Sequence, residues 1–81
     1  MDRDVAREIV RAVFRSGSEL ENVLGVLKAR CGADDYKYFA RQVATAIDGI
    51  NVALLNKVLL RFPELKVEIE SNLARTGRAM P

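Results

Sequence analysis

The stretch from Asp34 to Phe62, DDYKYFARQVATAIDGINVALLNKVLLRF, is the longest uninterrupted helical pattern in the chain and holds most of its large apolar side chains. Placed at about 100° per residue, Tyr36, Phe39, Ala40, Val43, Ala46, Ile47 and Ile50 form one stripe. Lys37, Tyr38, Arg41, Gln42, Thr45 and Asp48 form the polar stripe. At Gly49 and Asn51 the phase slips. Beyond them Leu54, Leu55, Val58, Leu59 and Phe62 define an apolar stripe rotated by roughly 90°, which Val52 and Leu60 widen. Two readings fit the slip: one long helix, straight or kinked, or a break at Asp48 with Asn51 capping a new helix. Continuity is the expectation, because a mid-helix glycine is only a modest penalty. A helix that is apolar most of the way round must be covered on most sides. In so short a chain a second chain is a natural cover.

Shorter amphipathic helices flank this stretch. Over residues 2–16, Val5, Ile9, Ala12 and Val13 share one side, with Ala6, Val10 and Phe14 at its edge. Asp2 and Asp4 lie in the first turn, where the helix dipole favours carboxylates, and Gly17 is placed to end the helix in the left-handed conformation. Ser18-Glu19-Leu20-Glu21 matches a capping box and opens a second helix with Leu20, Val23, Leu24, Val26, Leu27 and Cys31 on one face. Gly32 stops it, and Asp34 or Asp35 caps the third helix. Pro63 ends that helix and opens a fourth, with Leu65, Ile69 and Leu73 on a narrow stripe, Val67 to one side and Gly77 as its terminator. The expected fold is all-α: a bundle of four helices near 3–16, 19–31, 35–61 and 64–75, the long third one central and possible to break near Gly49. A single helical domain spans 1–77, and 78–81 form a frayed tail.

The residue types remove most chemistries. Histidine is absent and cysteine occurs once, which excludes Ser-His-Asp and Cys-His arrangements, His-containing zinc sites and an internal disulfide. The glycines are scattered singly, so no phosphate-cradling loop is present, and the carboxylates do not cluster apart from Asp34 and Asp35. We therefore expect no enzyme, no catalytic residue, no metal and no cofactor. Cys31 falls on an apolar face at a helix C-terminus and is expected to be a buried thiol rather than a nucleophile. Arg3, Arg7, Arg11 and Arg15 form a stripe, but Asp4 and Glu8 interleave with it as i+3 partners, which is the pattern of a solvated helix face. No apolar run reaches 18 residues and the N-terminus has no apolar signal core; with one cysteine, a reducing cytoplasm is the expected compartment.

What remains is binding. The sequence points to a small cytoplasmic protein–protein interaction module, homodimeric or docked on another protein, through Val52, Leu55, Val58, Leu59 and Phe62. Membrane binding is not expected, since no helix joins a dense basic face to bulky aromatics. The alternative is a helix-turn-helix-like DNA or RNA regulator that reads base edges with Lys37, Tyr38, Arg41, Gln42 and Thr45. Against it stand Asp34 and Asp35, at the helix end that normally meets the phosphate backbone. The net charge of +2 is well mixed along the chain, a weak attraction for a polyanion.

Overall fold

Two long helices set the shape. A computed structural model describes residues 1–78, in which α1 (Arg3–Arg30) and α2 (Ala33–Arg61) are joined by Cys31 and Gly32 alone. So short a link turns the chain straight back, and the two helices pack antiparallel along their length. After Phe62 and Pro63, α3 (Glu64–Thr76) folds across the open end of this hairpin. The described residues contain no strand, so the architecture is all-α, with three helices rather than four.

The missing boundary is the one expected at Gly17 and Ser18. In α1 the covered positions include Ala6, Val10, Val13, Gly17, Leu20, Leu24 and Leu27, with steps alternating four and three; Arg7, Ile9, Arg11 and Phe14, also half-covered, lie beside this series in the N-terminal half. The series has the heptad spacing of a coiled-coil seam, and it runs through Gly17 without a change of phase. In α2 the covered positions Tyr36, Ala40, Val43, Ile47 and Ile50 keep the same spacing. A continuous partner rewards a continuous helix. Capping at Ser18 would satisfy a few backbone groups, whereas breaking α1 there would take half of it off the seam. The glycine costs about 1 kcal/mol, and that is the smaller loss.

The phase slip in α2 has a definite form. The helix is α over Ala33–Ile50, π over Asn51–Leu55, and α again over Asn56–Arg61. The backbone N–H of Asn56 donates to the Asn51 carbonyl, five residues back. A single π turn adds one residue to the helix without ending it, which is how one rod presents two apolar stripes. The helix is continuous, as the sequence favours, and the turn lies just past Gly49.

The ends repeat this pattern of partial agreement. Asp2 is the N-cap of α1, its Oδ1 accepting from the Val5 N–H at 2.9 Å, and Asp4 lies in the first turn. Asp34 and Asp35 are not caps: α2 follows Gly32 without a side-chain cap, and both carboxylates sit in its first turn, where they still oppose the dipole. Cys31 is exposed rather than buried. The backbone becomes extended there (φ −121°, ψ 161°), so its side chain leaves the helical face. Gly77 ends α3 at φ 73°, the left-handed region that favours glycine. Of the expected tail, residues 79–81 lie outside the described residues.

Burial is confined to one end. Ala6, Val10, Val58, Leu65 and Ile69 form the core, with Ile9, Phe14, Leu55, Leu59 and Phe62 packed against it. None of residues 14–57 is buried. On α3 the inward positions are Leu65, Ile69 and Asn72, while Leu73, expected on the stripe, is about half exposed. Two ion pairs fasten α3 to α1: Arg3 to Glu64 at 3.0 Å and Arg7 to Glu68 at 3.1 Å. Arg7 also pairs with Asp4, and Arg11 with Glu8, the two i+3 pairs expected from sequence. The hydrogen bond from Arg7 to Glu68 raises the guanidinium pKa above its ordinary value; arginine is charged throughout the neutral range with or without it.

Two substitutions test this account by thermal and urea unfolding. Leu65→Ala should cost about 2–5 kcal/mol, because Leu65 is fully buried between α3 and the hairpin. Gly25→Ala should stabilise, since Gly25 is inside α1 and an added methyl would meet nothing within 4 Å. The gain should be near 1 kcal/mol, raising Tm by about 4–8 °C. No gain would mean that α1 is interrupted.

Candidate interaction surface

The sequence assigns wider apolar stripes to the helices than the seam uses, and the surplus residues share a location. In α1 the surplus is Val5, Ala12, Val23 and Val26, all exposed. By the heptad spacing of Ala6 to Leu27 they lie on the same side of the seam as Ile9. In α2 the surplus is Phe39 and Ala46, also exposed, and they too share a side of their seam. In an antiparallel pair with matched heptads these two sides face the same way. A shallow dent of about 180 Å3 shows the juxtaposition directly, since Ile9 of α1 lines it together with Leu54, Val58, Lys57 and Arg61 of α2.

The hairpin therefore has two unlike flanks. One receives α3: Arg7 pairs with Glu68 there, and Phe14 and Leu59 pack into the core. Away from α3 that flank is polar, with Glu21, Lys28, Lys37, Arg41 and Asp48. The other flank has no covering element. Its apolar members are Val5 (48% exposed), Val23 (46%), Val26 (55%), Phe39 (46%) and Leu54 (47%). Phe39 meets the ring of Tyr38 edge to face, ring centroids 5.1 Å apart, an arrangement aromatic pairs favour. Midway along the flank lie the small residues Ala12, Ser16, Ala46 and Gly49.

The residues that the sequence nominates as an interface are placed differently. Val58 is buried, and Leu55, Leu59 and Phe62 are packed against the core under α3, so four of the five serve the chain's own fold. Only Val52 is exposed, at 63%. The π turn is the cause, because it rotates the second stripe of α2 toward α3. The alternative set, Lys37, Tyr38, Arg41, Gln42 and Thr45, is exposed along the outer side of α2, with the Thr45 hydroxyl donating to the Arg41 carbonyl at 3.0 Å.

Three further observations bear on function. Among the described residues no group of three or more His, Cys, Asp or Glu could hold a metal ion. The helix Ala33–Arg61 is, by length and composition alone, apolar enough to cross a membrane, although no uninterrupted apolar run in it reaches 18 residues. Core helices of soluble proteins pass the same test and are mostly buried, whereas here 6% of the apolar window is fully buried and one stripe, Tyr36 to Ile50, is half-covered by α1. The chain matches no protein-family model, no curated protein and no solved structure.

Glutamate substitutions separate the nominated residues. Val58→Glu should cost about 3 kcal/mol or more, as an unpaired buried charge. Val52→Glu should stay within about 0.5 kcal/mol of the parent. Equal effects in urea unfolding would refute the placement of Val58 in the core.

Proposed function

We propose that this chain is a small cytoplasmic helical protein–protein interaction module, homodimeric and without catalytic activity of its own. The observation that carries the reading is its surface. A 9.0 kDa monomer of ordinary compactness exposes about 4,900 Å2, and this chain exposes 5933 Å2. Its radius of gyration is 14.8 Å, where a compact domain of its length has about 12 Å. The extra area comes with exposed Val, Leu and Phe side chains, which is the signature of an interaction surface rather than of a solvated one.

The nucleic-acid alternative draws support from the exposure of Lys37, Arg41 and Gln42 along α2. It has less support than association does. α1 and α2 are antiparallel, whereas helix-turn-helix pairs cross steeply, and Asp34 and Asp35 occupy the N-terminal turn of the helix that would read bases.

Sedimentation equilibrium at micromolar concentration tests the proposal, with an expected mass of twice 9.0 kDa. A monomer at every concentration sinks it. Retention on heparin together with duplex binding that falls steeply with salt would favour the alternative instead.

A further inference from the structure

We infer that the occupant of the uncovered flank is a second copy of this chain, docked flank to flank with its Gly49 and Ala46 at the closest approach; the inference rests on the homodimer reading and adds its surface and register.

Area comes first. The chain exposes about 1,000 Å2 more than a compact monomer of its mass, from the 5933 Å2 it presents. A stable interface takes about 800 Å2 from each partner. The excess, summed over the whole chain and including Leu60 and Val67 away from the flank, is of the size one copy must give up, and one copy of the same flank supplies a matching half.

The pattern of residue sizes fits its own image. Large side chains lie toward both ends of the flank, Val23, Val26 and Phe39 near the turn and Val5, Ile9 and Leu54 near α3. Between them lie the small Ala12, Ser16, Ala46 and Gly49, together with the polar Glu19 and Gln42. Any two-fold axis in the plane of the flank and through its middle sets small against small and large against large. Gly49 sits inside a helix, where glycine is unfavourable, and nothing in its own chain lies within 4 Å of an added methyl, as is equally so at Gly17 and Gly25 of α1; of the three, Gly49 is the one on this flank. A helix from a second copy crossing at this waist gives it a reason, because small residues let backbones approach.

Charge points the same way. Asp2, Glu19 and Asp35 fringe the flank, and so do Arg30, Lys57 and Arg61, three acids against three bases. A balanced rim suits a copy of itself, since acids of one copy can face bases of the other. It is ill suited to an anionic bilayer or a nucleic acid, which reward a one-signed surface.

The test is sedimentation equilibrium on the intact protein and four variants, with circular dichroism to verify helix content. Val26→Glu and Phe39→Glu replace exposed side chains and should leave the fold intact while weakening the dimer about tenfold or more. Gly49→Leu should also retain its helices and dissociate. Val52→Glu, on the other side of α2, should dimerise like the parent. A parent dimer that Val26→Glu, Phe39→Glu and Gly49→Leu leave unchanged overturns the flank and spares the homodimer. A monomeric parent overturns both, and a monomer that floats with phosphatidylcholine vesicles assigns the flank to a membrane. Should Gly49→Leu lose helix content, the two glutamate variants decide alone.

Discussion

Everything in this fold hangs on one seam. α1 and α2 meet through apolar residues spaced alternately by three and four, and that spacing, sustained for most of 28 residues in α1, keeps one narrow stripe of each helix against the other. A two-helix seam covers only that stripe. Whatever lies beside it on either helix must be covered by something else or remain in water. On one flank α3 does part of the covering, and it does so only at the end where Val58 and Phe62 have been turned toward it. The hairpin near Cys31 and Gly32 has no third element at all, which is why residues 14–57 include none that is buried.

The seam also explains which parts of the structure were legible beforehand. The helical class, the stop at Pro63, the terminator at Gly77 and the slip after Gly49 all follow from local signals, and all are present. Gly17 misleads because its local signals, a glycine followed by a capping box, are genuine but outweighed by the partner lying alongside. The period of Ala6 to Leu27 was in the sequence, and reading it across Gly17 rather than on either side of it reveals one helix. The packing of four nominated residues into the core was missed for a related reason. Leu55, Val58, Leu59 and Phe62 look like surplus when α2 is considered alone, yet α3 needs them. Val23, Val26 and Phe39 look like core and are left outside. Periodicity shows how much apolar surface a helix carries, but which neighbour covers it depends on how many neighbours the chain can supply.

The ion pairs divide along similar lines. Arg7 with Asp4 and Arg11 with Glu8 are fixed by spacing on one helix and could be read directly. Arg3 with Glu64 and Arg7 with Glu68 join residues 61 apart and arise only once α3 has folded back. Such pairs, one exposed and one partly buried, contribute modestly. Their role here is orientation: two matched pairs on successive turns set the line along which α3 lies on α1, while Leu65 and Ile69 supply the burial.

The π turn at Asn51–Leu55 makes the length of α2 as consequential as its composition. One residue in an α-helix corresponds to a rotation of about 100°. Removing a single residue between Asn51 and Leu55 would restore regular α geometry locally, at no obvious cost to the helix itself. It would also swing Val58, Leu59 and Phe62, with α3 attached, away from Ala6 and Val10. Within these five positions the chain can absorb a change of side chain far more readily than a change of count, so the extra residue works as a fixed angular offset between the two halves of the protein.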